Sequence, residues 1–350
     1  MMYESSEEAA AFQNTLISLL SWFLGRQSKR LEHRGEFGVQ TIAAHICSSY
    51  RCFPANAFVT QRKKVHVKPQ KLASFVSRDP EFLKPIGQLA LFARRELVPF
   101  VKYFILHGSL ATADYVSGWS DVDTLMVVNR DTFNDSALLL KFRELMMRAY
   151  GFLIEVDSLQ HHGFIVVTEY DLLAYPENFL PPVVLEHAIN LMSDDNAVAL
   201  DLFVRDDRNA CAASIESRQR VYRDALDTGT FRHHAYRGEY LRACFENAEN
   251  AMYQLKYFLA AIMSLPALYL TAIGKPCYKR ESFDRCRPLF SDSEWEIVEK
   301  ASRVRRKWDK CEDFPFTGNA IPEWVQAELG GTYFADGYRF VDAVASLLRD

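Results

Sequence analysis

Two aspartates, Asp121 and Asp123, stand one residue apart at the head of the apolar run Thr124 to Val128. On a strand side chains alternate between faces, so both carboxylates project the same way, with Cα atoms roughly 6–7 Å apart, while Val122 turns to the core. They are hard oxygen donors on a rigid support. Upstream, a second apolar run, Tyr103 to Leu106, ends in His107-Gly108-Ser109. Glycine at 108 permits an unusual φ and lets backbone approach a phosphate closely. Ser109 is expected to cap a short helix whose free N–H groups attract anions.

These residues need a frame. Asp79-Pro80 reads as a helix start, and Ile86, Leu89, Phe92, Ala93 and Leu97 mark one face of a helix ending near Pro99. After Val128 comes a turn, Asn129 to Thr132, and then a helix from Phe133 to Tyr150 with Leu138, Phe142, Leu145 and Met146 facing inward. An extended region follows in two parts, Phe152 to Val156 and His162 to Val167, and Thr168-Glu169-Tyr170-Asp171 has the form of a helix N-cap. The order strand, helical turn, strand, helix, strand predicts an α+β unit built on a mixed sheet.

The run Gly108-Ser109, then Ser120-Asp121-Val122-Asp123 and an apolar strand, resembles the core signature of the DNA polymerase beta-type nucleotidyltransferase superfamily. The resemblance covers roughly Glu81 to Asp171. GS and DxD are each common, but strand, GS, helix, DxD and strand in one register are not. It implies that Gly108, Ser109 and Ser120 lie at the nucleotide phosphates and that Asp121 and Asp123 bind a divalent metal. A third carboxylate on a neighbouring strand would complete the site. Asp157, at the end of the Phe152 to Val156 run, is the candidate, because Glu155 has the opposite strand parity and Glu169 sits in a first helical turn. His161 and His162 compete for the same place. Aspartates suit Mg²⁺, which bridges carboxylates to triphosphate oxygens. The implied reaction is in-line attack of an acceptor hydroxyl on the α-phosphorus of an NTP, with positioning and charge neutralisation as the main contributions.

Around this core the chain divides into an N-terminal helical or irregular extension (1–80), a nucleotidyltransferase-like core (81–180) and a mostly helical substrate-binding domain (181–350). In the first part Glu7 to Leu24 is expected to be a helix, and the basic stretch Arg62 to Lys71 reads as a solvated loop. Pro181-Pro182 reads as a hinge. Beyond it Val183 to Met192, Ala213 to Leu226, Glu239 to Met263 and Asp292 to Trp308 carry helical apolar spacing, and Phe340 to Leu348 closes the chain as a helix. The loop Ala272 to Arg280 offers Lys275, Lys279 and Arg280 as cations for a triphosphate. Arg303, Arg305, Arg306 and Lys307 read as a solvated helix face.

Composition narrows the partners. A net charge of −4 and a pI near 6.2 give no general attraction to nucleic acid, so a small-molecule or protein acceptor is favoured over long duplexes, with an RNA end still open. Seven scattered cysteines without a CxxC pair are the usage of a reducing compartment, and the acidic start of the chain does not resemble a secretory signal. The expectation is a cytoplasmic protein with no membrane span. The sequence contains no P-loop, HExxH, GxSxG or strand-following GxGxxG.

Overall fold

A computed structural model describes residues 20, 23–24, 36–52, 61–157, 163–175, 177, 180–204, 208–228, 230–232, 240–242, 251–308 and 321–349. The chain forms two compact units: the first holds residues 1–115, 120–176 and 184–205, the second residues 116–119, 177–183 and 206–350. The architecture is α+β, as expected. Most of the expected helix Glu7 to Leu24 lies outside the described residues. Its Leu20, Phe23 and Leu24 are buried in the core of the first unit, and the Arg143 guanidinium lies over the Phe23 ring.

In chain order the first unit contains α1 (Glu36–Arg51), β1 (Gln61–Val67), α2 (Leu72–Val76), α3 (Pro80–Phe92), β2 (Val101–His107), α4 (Gly108–Thr112), β3 (Asp123–Val128), α5 (Ser136–Val156), β4 (Ile165–Val167), α6 (Glu169–Leu173), β5 (Ile189–Asn190) and β6 (Val198–Val204). Four strands make the central sheet in the order β4-β3-β2-β5. β2 and β3 run antiparallel with His107 opposite Asp123, β4 joins β3 in parallel, and β5 pairs antiparallel with β2. Phe104, Leu106, Val122, Met126 and Val128 share one face and pack into a single core with Ile86 and Leu89 of α3 and Phe142 and Met146 of α5. By strand alternation the odd residues Asp123, Leu125 and Val127 take the other face, and Asp121, just before the strand, is half-buried. Leu125 and Val127 are buried as well, which is why both strands read as unbroken apolar runs.

Local chemistry explains the element boundaries. Asp79 caps α3, its carboxylate accepting the Phe82 N–H at 3.1 Å, and Pro80 takes the first helical position. Helical backbone then continues as a π turn over Ala93–Leu97, with Ala93 and Leu97 buried as the spacing predicts. Thr168 and Asp171 cap α6: the Thr168 N–H and hydroxyl both donate to the Asp171 carboxylate, at 2.5 and 2.9 Å.

Several expectations are corrected. α5 does not stop at Tyr150 but runs on to Val156, so Phe152 to Val156 is helix rather than strand. Ala149, Leu153 and Val156 continue the buried stripe of Phe142, Leu145 and Met146 at helical spacing, and Gly151 faces open space, so nothing interrupts the stripe. Of the residues expected to face inward, Phe142, Leu145 and Met146 are buried, while Leu138 is exposed and Leu139 is buried instead. The basic stretch opens as a strand: in β1 Val65 and Val67 are buried while Arg62, Lys64 and His66 are exposed, and β6 pairs with it along its whole length. Arg62 forms a bidentate pair with Asp201 across that ribbon, at 2.9 and 3.1 Å. Val183 to Met192 is not a helix over its length. Ile189 and Asn190 form β5, and Leu191 N–H donates to Phe104 at 2.9 Å. Residues 184–205 therefore complete the first unit instead of opening the helical half.

The second unit contains α7 (Arg208–Thr228), β7 (Thr230–Arg232), β8 (Tyr240–Arg242), α8 (Ala251–Ala272), α9 (Lys279–Cys286), α10 (Asp292–Trp308), α11 (Glu323–Leu329) and α12 (Tyr333–Leu347). Where Glu239 to Met263 was expected as one helix, a short β7–β8 hairpin ladder precedes α8, which extends on to Ala272. On α10, Arg303 is not simply solvated: it donates to Glu328 at 2.6 Å, and Lys307 joins the same carboxylate. Among the described residues α8 is the one helix long and apolar enough to cross a membrane, and 67% of residues 255–272 are buried inside the protein. Its apolar surface is used in packing. Phe258 stacks on Phe334, which stacks on Tyr222, with ring centroids 5.2 and 5.4 Å apart.

Gly337 is what lets α12 approach α8. A Cβ at that position would lie 2.6 Å from the tip of the Phe258 ring, which is fully buried and has no room to swing away. Gly337→Ala is expected to destabilise the protein by about 1–3 kcal/mol, the usual cost of overpacking a core. The shift in the urea unfolding midpoint measures it, and an unchanged midpoint would show that the ring yields.

Candidate active site

The candidate site is the end of the β2–β3 hairpin where β2 stops and β3 begins. His107, the last residue of β2, is buried and pairs with Asp123, the first of β3. Immediately after it the backbone takes a left-handed turn at Gly108, φ +70°. That conformation favours glycine, and the surroundings require it independently: a Cβ on residue 108 would sit 2.2 Å from Oδ2 of Asp123. The second aspartate of the DxD pair thus rests its carboxylate on the glycine of the GS turn. Two motifs separated in sequence share one point in space.

The path between them is tightly folded. α4 is a single five-residue turn whose Thr112 hydroxyl donates back to the carbonyls of Gly108 and Ser109 at 3.2 and 3.3 Å. Ala113 closes it in the left-handed region, φ 59°, and Asp114 N–H donates to the Ser109 carbonyl at 2.9 Å. Ser109 does not cap this helix. It lies inside the turn, and the capping position belongs to His107, whose side chain makes no cap bond. A turn this short has too few aligned peptides to offer a strong helix-end field.

Asp121 and Asp123 are both half-buried, and Val122 between them is fully buried, which is the alternation the sequence predicts. Ser120 is buried. Two half-exposed carboxylates on one face, with a glycine backbone against one of them, fit the first coordination sphere of a nucleotide-borne Mg²⁺. Such an ion takes one or two protein carboxylates and completes its octahedron with phosphate oxygens and water.

Asp157 does not lie on a strand. It is the C-cap of α5, 2% exposed, its N–H donating to the Leu153 carbonyl at 3.0 Å. Because the helix persists to Val156, Asp157 ends a helix instead of lying on a strand beside β3. Among the described residues no three His, Cys, Asp or Glu side chains are grouped to hold a metal ion. β4, the strand alongside β3, contributes Ile165, Val166 and Val167. Glu155 is exposed on α5 and Glu169 lies in the first turn of α6. His161 and His162 lie outside the described residues.

Lys275, Lys279 and Arg280 are exposed residues of the second unit. Their loop is shaped by the end of α8. Gly274, φ +74°, donates its N–H to the Thr271 carbonyl at 3.0 Å, and Lys275 N–H donates to that of Leu270 at 2.8 Å, which together close the helix in a Schellman motif. Lys279 opens α9.

No family model matches the chain, and neither a curated protein nor a solved structure matches it.

Proposed function

We propose that the protein is a Mg²⁺-dependent nucleotidyltransferase that transfers a nucleoside monophosphate from an NTP to an acceptor hydroxyl and releases pyrophosphate. The observation that carries this reading is the contact between the Asp123 carboxylate and the Gly108 backbone at the mouth of an antiparallel strand pair. The chain order strand, helical turn, strand, helix, strand expected from the sequence supports this reading: β2, α4, β3, α5 and β4 come in that order, with β3 antiparallel to β2 and parallel to β4.

In this reading Asp121 and Asp123 hold the ion, and Gly108 and Ser109 present backbone to the phosphates. Mg²⁺ when bound supplies charge neutralisation on the triphosphate. The side chains need little motion, because one aspartate is fixed at a strand end and the other stands two residues before it. A new bond forms between the acceptor oxygen and the α-phosphorus, the bond to the bridging oxygen breaks, and pyrophosphate leaves with that electron pair. The acceptor proton needs a base, and Asp157, the buried C-cap of α5, is the residue the resemblance offers as a third carboxylate. The acceptor class is a small molecule or a protein side chain ahead of an RNA end, given the acidic balance of the chain. Cys47, Cys52, Cys277 and Cys286, which form no disulfide, support a cytoplasmic setting.

A second reading is favoured by one observation: the strand beside β3 carries Ile165, Val166 and Val167 where a third carboxylate would complete a catalytic set. On that reading the protein binds an NTP without turning it over. Pyrophosphate release with each of the four NTPs, Mg²⁺ and a panel of hydroxyl acceptors separates the two. Release supports the enzyme. Binding by calorimetry without release supports the binder, and neither release nor binding removes both.

A further inference from the structure

The GS turn is left-handed at both ends. Gly108 opens it at φ +70°, and Ala113 closes it at φ 59°, the one non-glycine residue with positive φ among the described residues. Glycine takes that conformation freely, whereas for alanine it is unfavourable, so the surroundings must hold Ala113 in place. A five-residue helix supplies little of that hold by itself. Leu110 and Ala111 fix the middle of the turn in the core. Its far end is fixed just after Asp114. The Asp114 N–H closes on the Ser109 carbonyl at 2.9 Å, and next in the chain the Tyr115 ring stacks on Phe82 of α3, with centroids 5.4 Å apart and planes 22° apart. The Tyr115 hydroxyl donates to Oδ2 of Asp79 at 3.5 Å, while Oδ1 of the same carboxylate accepts the Phe82 N–H and caps α3. Tyr115 and Phe82 both pack against the core of the first unit, which holds every residue of this arrangement.

We propose that Tyr115 is a positioning residue for the GS turn: its ring and hydroxyl clamp the end of the turn to the start of α3, so that the backbone of Gly108 and Ser109 keeps the shape it presents to the nucleotide phosphates. The phosphates come from the nucleotidyltransferase reading, on which the proposal rests. The clamp itself needs only contacts inside the first unit. Tyr115 acts through the Asp114 bond to Ser109, not on nucleotide. A stacked aromatic pair is a stiff support, because the rings favour offset stacking and have few rotamers to lose. With the clamp released, the turn spends part of its time in other shapes. The apparent affinity for nucleotide then falls by the fraction of turns that remain competent.

The test is Mg²⁺·NTP binding by calorimetry to the full chain, with each of the four ribonucleoside triphosphates, beside hydrogen exchange of the Asp114 amide. Wild type is compared with Tyr115→Ala, Tyr115→Phe, and Tyr115→Ala combined with Ala113→Gly. Tyr115→Ala is expected to weaken binding about tenfold, at the upper end of what one aromatic pair contributes, and to speed exchange of the Asp114 amide. Tyr115→Phe keeps the stack and loses only the hydroxyl, and is expected to bind within about threefold of wild type. Ala113→Gly added to Tyr115→Ala should recover most of the lost affinity, because glycine takes the left-handed position without the clamp. A binding loss that Ala113→Gly leaves untouched would belong to ring packing alone and overturns the clamp. Should Tyr115→Ala not fold, Tyr115→Leu takes its place. Wild-type affinity in the folded Ala or Leu variant overturns the positioning role while leaving the nucleotidyltransferase reading standing. Failure of wild type to bind any of the four overturns that reading, and the role of Tyr115 at the phosphates with it; the Asp114 exchange rate then still shows whether the clamp holds the turn.

Discussion

Replacing Gly108 by alanine is expected to abolish Mg²⁺·NTP binding in a protein that remains folded. The added methyl would lie 2.2 Å from Oδ2, 3.0 Å from Cγ and 3.1 Å from Cβ of Asp123. Something must move, and β3 cannot, since Asp123 is paired with His107 and the five residues after it are buried. What yields is the carboxylate, which rotates off the face it shares with Asp121. Holding alanine at φ +70° costs about 1–2 kcal/mol more, a loss that a stable domain survives. The expected pattern is therefore a modest fall in the urea midpoint with binding lost beyond the range of calorimetry. Gly337→Ala is the matched control, with a larger fall in stability and binding retained. A Gly108→Ala protein that binds Mg²⁺·NTP as wild type does would show that the carboxylate seat is not the site.

The parts of the site that were legible in the sequence are those fixed by neighbours in the chain. Alternation around Val122 put Asp121 and Asp123 on one face, and the apolar runs on either side marked β2 and β3 because both strands are buried on both faces. Asp79-Pro80 and Thr168 to Asp171 marked helix starts through carboxylates that accept backbone N–H groups, Asp79 from Phe82 three residues on and Asp171 from Thr168 three residues back. Contacts that only folding creates were not legible. Phe152 to Val156 is a run that suits a buried strand or a buried helix equally. The choice was made by α5, where Leu153 and Val156 extend a stripe begun fourteen residues before Leu153 at Leu139. That choice made Asp157 a helix C-cap instead of a strand residue. β5 is two residues long and is defined by its partners Ile105 and Leu106, not by its own pattern. Likewise nothing local ties Trp119 to Trp308, whose ring it meets edge-on. The signal available was the type of residue: a large apolar ring in a loop of small and polar residues needs a buried partner somewhere.

Asp121→Asn and Asp123→Asn are each expected to lower the rate of pyrophosphate release by about 10²–10⁴-fold, the several kcal/mol that metal-borne charge stabilisation supplies at a transition state. The substitution keeps shape and removes one negative charge, so packing around the fully buried Val122 is undisturbed and the unfolding midpoint should hardly change. The informative variant is the double one. If both carboxylates hold the same ion, either single change already removes most of what the ion contributes, and Asp121→Asn with Asp123→Asn together should cost little more than the worse single. Two carboxylates acting on separate steps would instead give losses that multiply. Independence has a structural meaning here, because Asp123 is held by pairing with His107 and by the Gly108 backbone, whereas Asp121 lies before the strand begins. Equal release by wild type and both single variants would mean that the DxD pair is an ordinary solvated strand start. Multiplying losses would keep the enzyme and discard the shared ion.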